Sequence, residues 1–343
     1  MNTEELKETA DALMAGDKGL LAMDESLPTC NKRFKAAGIP QTEEYRRKYR
    51  ELIVTTPGLA ESISGAILFD ETIYQSTDDG TLFIDILKKA GIIPGIKVDE
   101  GTVEMPGSPK ERITNGLDGL DIRLNNYYGL GARFAKWRAV ITIGKDLPTE
   151  ANIQSNTETL AKYARLCQQD DIVPIVEPEV LMDGDHTIER CYEVTQHVIK
   201  ELFKHLEKEG VYLPGLLLKP NMVIAGKGSH IKNSTDEVAT ATISCLLASV
   251  PSQVAGVAFL SGGQTPQEAT RNLYEMHVKY ESKLPWPLTF SFARAIQQPA
   301  LEIWKGKDKN VKAAQDMLRF RASMDSAARA GRYSVDLDKY PVL

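Results

Sequence analysis

The sequence predicts an α/β protein, a (β/α)8 TIM barrel with an irregular C-terminal tail. Eight short apolar runs recur along the chain, amphipathic segments separate them, and polar groups gather where the runs stop.

The runs are Gly19–Met23, Gly65–Phe69, Ile92–Val98, Arg138–Ile143, Ile172–Val176, Gly215–Leu218, Val254–Leu260 and Leu288–Phe290. They are apolar without alternation, as in parallel strands buried on both faces. Between them, Ser155-Asn156-Thr157-Glu158 and Ser234-Thr235-Asp236-Glu237 read as capping boxes, and Thr265-Pro266-Gln267-Glu268 adds proline at the first helical position. The segments Asp185–Glu209 and Val311–Ala330 run into Gly210 and Gly331, which suit left-handed caps. A doubly wound open sheet fits the same alternation. With no Pro/Gly/Ser-rich linker, low-complexity tract or internal repeat, residues 1–343 are expected to form one domain, with roughly 332–343 as the tail.

Bulk composition narrows the function. The chain is 42% hydrophobic and 26% charged, with a net charge of −6. That balance argues against nucleic acid or an anionic membrane as partner, and leaves phosphate binding to local positive charge. The four cysteines, Cys30, Cys167, Cys191 and Cys245, form no CxxC pair and read as free thiols in a reducing compartment. The five histidines lack ligand spacing, so a His- or Cys-based zinc site is not expected. Met1 to Lys7 is polar and acidic, unlike a signal peptide, and no apolar run approaches a membrane span. Cytoplasm is the simplest location; a plastid protein stripped of its transit peptide is also compatible.

The strand ends carry Asp24, Glu25, Asp70, Lys97, Glu177, Glu179, Lys219, Ser261, Ser291 and Arg294. In barrels, catalytic groups gather at this end of the strands. Lys219 follows Leu216-Leu217-Leu218 and precedes Pro220, which ends the ladder. A lysine there points at the barrel mouth, where burial and a second cation favour a nucleophilic amine; taken in isolation, a lysine snorkelling to solvent is the simpler reading of this position. If the fourth strand extends back to Phe134, Lys136 and Arg138 share one of its faces. They could supply the second cation and a phosphate contact, although strand-end logic alone would put them in solvent at the barrel's bottom. Glu177 and Glu179 also share a face, as a proton-transfer pair, a divalent-cation site or neutralising partners for lysines. Ser261-Gly262-Gly263-Gln264 and Ser291-Phe292-Ala293-Arg294 follow strands seven and eight, where barrels often hold a phosphate on bare backbone N–H groups.

At these residues the sequence resembles the class I fructose-bisphosphate aldolases over nearly its whole length. The Schiff-base signature of that family appears as Leu217-Leu218-Lys219-Pro220-Asn221-Met222, and its Ala-x-Asp-Glu-Ser as Ala22-Met23-Asp24-Glu25-Ser26, followed by Lys32-Arg33. Gly95-Ile96-Lys97-Val98-Asp99, Phe134-Ala135-Lys136-Trp137-Arg138, Val173 to Glu179, Phe259 to Gln264 and Leu288 to Ser291 also match, in order and at comparable spacing.

The resemblance implies metal-free, cofactor-free cleavage of fructose 1,6-bisphosphate, and sedoheptulose 1,7-bisphosphate is a possible second substrate. It makes Lys219 the imine-forming nucleophile, Asp24 the base for the C4 hydroxyl, and Glu177, with Glu179 beside it, the acid and base of imine chemistry. Lys136 becomes the residue that maintains their protonation states and faces the site. Ser261, Gly262, Ser291 and Arg294 would serve one phosphate; Ser26, Arg33, Lys97 and Arg138 would serve the other phosphate or the sugar hydroxyls. A homotetramer is implied as well. Pro214 stands where the family usually has Glu, Ala293 where it usually has Gly, and Leu27-Pro28-Thr29-Cys30 where animal enzymes have a smaller, Gly-containing stretch. Animal enzymes also have a longer tail whose final Tyr is linked to enamine protonation; Tyr340 and Tyr333 are the tail tyrosines here. The rival readings are a divalent-metal lyase or isomerase using Glu177 and Glu179, and a sugar-phosphate-binding or scaffolding barrel without catalysis.

Overall fold

The computed structural model describes residues 1–339. Its centre is a closed barrel of parallel strands: β1 (Gly19–Met23), β2 (Ile63–Leu68), β3 (Ile93–Lys97), β4 (Phe134–Ile141), β5 (Val173–Val180), β6 (Leu217–Leu218), β7 (Gly256–Phe259) and β8 (Leu288–Phe292). They neighbour one another in chain order, and β8 closes on β1. This closure excludes the open sheet, and helices cover the outside. Strand residues are buried almost throughout, because one face meets the helices and the other fills the barrel.

Two strands differ from expectation in a way that matters for the site. β4 begins at Phe134, and its first residue pairs with Gly95 of β3 and Val173 of β5. Lys136 stands opposite Lys97, the last residue of β3. Strands in a barrel are staggered, so a mid-strand position on β4 reaches the same height as a strand end on β3. β5 runs on to Val180, so Glu177 and Glu179 lie within it rather than after it. Its two prolines cost no ladder bond. The N–H of Val180 bonds to Asn221 on the β6 side, and the nitrogens of Pro174 and Pro178 face that same side. β6 pairs there only with Ile175 and Val176, so the prolines fall below and above it.

The barrel's floor is a closed apolar plug. Helix Thr3–Leu13 was not anticipated, yet its Leu6, Ala10 and Leu13 are buried at helical spacing, with Asn2 capping its start. They pack with Met14 against Leu20, Ile67, Phe134, Val173, Leu217 and Ala258 inside the barrel. A Cβ on Gly256 would lie 2.4 Å from Met14, and one on Gly65 would lie 2.6 Å from Leu13, so these strand glycines admit the plug.

Of the expected capping boxes, Ser234/Glu237 and Thr265/Glu268 are formed. Ser155–Glu158 is not one. It lies inside helix Glu150–Gln169, which starts earlier because the Thr149 side chain accepts from the Asn152 N–H. Gly210 and Gly331 take φ of +66° and +65° after helices Ile188–Lys208 and Val311–Arg329. An unanticipated antiparallel hairpin, Thr102–Met105 with Ser108–Thr114, follows β3. Its fully buried Glu111 accepts hydrogen bonds from the Thr149 N–H and hydroxyl, fastening the hairpin to the start of helix Glu150–Gln169. Among the described residues no helix is long and apolar enough to cross a membrane.

Candidate active site

A cleft of about 1350 Å³ opens at the carboxyl ends of the strands. Every residue given a catalytic or substrate-binding role by the resemblance lines it: Asp24, Ser26, Arg33, Lys97, Lys136, Arg138, Glu177, Glu179, Lys219, Ser261, Gly262, Ser291 and Arg294.

Its centre is a chain of buried charges. Lys219 continues the β6 ladder through its N–H to the Val176 carbonyl, 2.8 Å away, and this aims its side chain into the barrel. Lys219 Nζ is 3.4 Å from Glu177 Oε1, and Glu177 Oε2 is 3.2 Å from Lys136 Nζ. Lys136 Nζ is in turn 2.8 Å from Asp24 Oδ2. All four are buried, Lys136 and Lys219 to 2% and 3% exposure. The alternative that put Lys136 in solvent at the bottom is therefore wrong.

Burial pushes the Asp24 carboxyl upward, but the charges of Lys136 and Lys219, the hydrogen bond from Lys136 and the charge of Lys97 outweigh it and hold it at about 2. Burial disfavours the Lys136 ammonium, yet Asp24, Glu177 and Asp99 together drive its pKa upward. At neutral pH the pair is thus an ionised base beside a fixed cation. Glu179 binds Arg138, with Nε to Oε2 at 2.5 Å. It is a partner of the guanidinium rather than a second carboxylate against Glu177.

Ser261, Gly262 and Gly263 form a tight turn after β7. Gly262 and Gly263 have φ of +55° and +82°, a backbone that L side chains rarely adopt, and the Ser261 carbonyl accepts the Gln264 N–H at 2.9 Å. Ser291 Oγ is buried and has no hydrogen-bond partner among the described residues. Arg294, exposed, begins helix Arg294–Trp304. Ala293 has φ −106°, so this position makes no demand that only glycine could meet. Pro214 lies in the short turn Leu213–Gly215 before β6, where it replaces no ladder donor.

Ser26 holds the N-cap position of helix Leu27–Ala37 and Arg33 belongs to that helix, which Pro28 opens and which follows β1, the strand next to β8. Ser26 Oγ lies 3.1 Å from the Thr29 hydroxyl. Arg33 pairs with Glu25, and its guanidinium also meets the Tyr49 hydroxyl and Gln298 Oε1, each at 3.3 Å. Glu25 Oε2 is 2.8 Å from Arg50 as well, so one buried carboxylate fixes two arginines. The residue that sequence reasoning left without a role is Asp99, which joins Lys97 and Lys136. The i, i+2 spacing from Lys97 was its available signal.

Tyr333 is not part of the cleft: its hydroxyl donates to Asp338 at 2.9 Å and its ring packs on Tyr274. Tyr340 lies outside the described residues. Among the described residues, no group of three or more His, Cys, Asp or Glu side chains is placed to hold a metal ion, and the four cysteines are buried and unpaired.

The family model described as fructose-bisphosphate aldolase class-I matches residues 5–340. The chain belongs to the class I fructose-bisphosphate aldolase family. A probable fructose-bisphosphate aldolase class 1 of Xanthomonas campestris pv. campestris is 52% identical over 334 residues, covering 97% of this chain and 99% of that protein. The cytosolic fructose-bisphosphate aldolase 4 of Arabidopsis thaliana is 48% identical over 336 residues, covering 98% of this chain and 85% of its own. A crystal structure of fructose-bisphosphate aldolase from Plasmodium falciparum, in complex with TRAP and a small-molecule inhibitor, superimposes with a TM-score of 0.94 at 47% identity, covering 96% of this chain and 95% of that one. As a class I aldolase the chain is a lyase.

Proposed function

We propose that this aldolase reversibly cleaves fructose 1,6-bisphosphate to dihydroxyacetone phosphate and glyceraldehyde 3-phosphate through an imine on Lys219. The observation that carries the reading is the single carboxylate, Glu177, standing between the Lys219 and Lys136 ammonium groups at 3.4 and 3.2 Å.

Lys219 must lose a proton before its nitrogen attacks the C2 ketone, and Glu177 is within reach to take it. The same carboxyl then protonates the carbinolamine hydroxyl, which leaves as water, and a C2 iminium remains. Asp24, ionised well below neutral pH, accepts the C4 hydroxyl proton. The C3–C4 bonding electrons flow into the iminium, glyceraldehyde 3-phosphate departs, and an enamine is left on Lys219. Protonation at C3 restores the iminium, and water hydrolyses it to dihydroxyacetone phosphate and free Lys219. Lys136 stays charged throughout, holding Asp24 and Glu177 in place.

Ser261, Gly262, Ser291 and Arg294 take one phosphate, while Ser26, Arg33, Lys97 and Arg138 take the other or the sugar hydroxyls; Glu179 orients Arg138. Sedoheptulose 1,7-bisphosphate has the same reacting end, and turnover on it would measure the breadth of the site. We further propose one domain over 1–343 with a tail from about 332, a homotetramer, and a cytoplasmic location, the last supported by the cytosolic Arabidopsis relative.

The test is borohydride reduction during turnover on fructose 1,6-bisphosphate, with the adduct mapped by mass spectrometry. A reduced three-carbon or six-carbon adduct on Lys219 is expected. An adduct elsewhere, or none, overturns the assignment, and loss of activity in a chelator would favour a metal lyase instead.

A further inference from the structure

Asp99 takes no part in the steps above, yet it is 7% exposed and lines the cleft. Its Oδ1 is 2.7 Å from Lys97 Nζ and accepts the Gly101 N–H at 3.2 Å. Its Oδ2 accepts the Arg138 N–H at 3.2 Å and lies 3.8 Å from Lys136 Nζ. Lys97 and Lys136 are directly opposed across β3 and β4. Two like charges facing one another on neighbouring strands repel, and more so where little water reaches them. Asp24 and Glu177 offset Lys136, but among the described residues Asp99 is the one carboxylate within 4.0 Å of Lys97.

We propose that Asp99 is a positioning residue of the reaction: it neutralises the Lys97–Lys136 pair, presenting Lys97 to the substrate and keeping Lys136 between Asp24 and Glu177. The inference rests on the imine reading of the cleft. Lys136 is faced by Asp24 from the end of β1, by Asp99 and Lys97 from the β3 side, by Glu177 from β5 and, through Glu177, by Lys219. Asp99 is approached in addition by the Arg138 charge from β4 and by Tyr163 from helix Glu150–Gln169. After Asp24 and Glu177, Asp99 is the third of the charges that offset the burial of Lys136.

Asp99→Asn keeps the shape and an acceptor but removes the charge. The expected result is a loss in kcat/KM for fructose 1,6-bisphosphate of about tenfold or more, with the alkaline limb of its pH profile moved down by about one pH unit. In a Lys97→Met background the repulsion is gone, so the same substitution should cost less activity there, and that double variant stands in should Asp99→Asn not fold. A merely structural role predicts an unmoved pH profile and additive losses, and either result ends the proposal. Borohydride trapping of the wild type is run alongside. No adduct on Lys219 ends the imine reading itself, whereas normal trapping with an unmoved Asp99→Asn profile ends only the role given to Asp99.

Discussion

Phe134 occupies the space that any side chain on Gly95 would need: a Cβ there would come within 2.3 Å of the ring. The two residues are paired across β3 and β4, and the fully buried ring belongs to the apolar floor that the N-terminal helix closes. Lys136 follows two residues later on the same face, so the ring sets the level at which its ammonium meets Asp24 and Glu177.

Gly95→Ala should therefore force the ring aside, costing about 1–3 kcal/mol of stability as overpacked cores do, and should lower kcat by displacing Lys136. Adding Phe134→Leu makes room and should recover much of the stability. Urea denaturation and steady-state rates on the three variants decide the matter. A stable, fully active Gly95→Ala would mean the floor yields without disturbing the site.

Asp24→Asn separates imine formation from bond cleavage. The carboxylate lies at Lys136, not within ion-pair distance of Lys219, and proton transfer around Lys219 falls to Glu177. The variant should still be trapped on Lys219 by borohydride while kcat falls by about 10²–10⁴-fold, the usual worth of a general base. Because Asp24 titrates at about 2, no acid limb above pH 4 in the wild-type profile should disappear with it. Equal loss of trapping and cleavage would assign the base elsewhere.

Arg294 is exposed at the start of its helix, so its removal should leave the fold intact. Arg294→Ala should raise KM for the bisphosphate by about tenfold or more, as expected for one charged hydrogen bond worth roughly 1.5–3 kcal/mol. Imine formation with a non-phosphorylated ketose should be nearly unchanged. An unaltered KM would remove Arg294 from the phosphate site.

The barrel was legible because eight buried strands leave continuous apolar runs, and the site because Lys219, Ser261 and Ser291 follow the ends of such runs. Lys136 was legible only through family resemblance, since the stagger that lifts a mid-strand residue to the mouth is a property of the closed sheet. The plug helix Thr3–Leu13 was overlooked because its polar residues dominate the sequence, although Leu6, Ala10 and Leu13 carried the period. The spacing of Asp99 from Lys97 is visible in the sequence, but its second partner, Lys136, follows from the Lys97–Lys136 register, which no local pattern encodes.

Two buried groups remote from the chemistry give the fold a pH dependence of known sign. Asp325 is fully buried; its Oδ1 accepts the Thr270 hydroxyl at 2.6 Å, beside the Arg321–Asp338 ion pair that ties down the chain after the last helix. Burial raises its carboxyl, Arg321 and Thr270 oppose this, Asp338 adds to it, and the result is about 7 against an ordinary 3.8. The folded protein thus keeps a proton that the unfolded chain has released, so this contribution is complete below 3.8 and is lost as pH rises through about 7. His277 works the other way. Burial and then Arg329 lower it to about 4 from 6.5, so its contribution is present above 6.5 and is lost as pH falls toward 4. Asp325→Asn, which cannot release a proton, should cancel the first effect alone. Its Tm at pH 8 relative to pH 5 should exceed the corresponding wild-type difference by several degrees, while the acid-side loss assigned to His277 persists. If both proteins show the same Tm difference between those pH values, the carboxyl of Asp325 does not titrate as its burial requires.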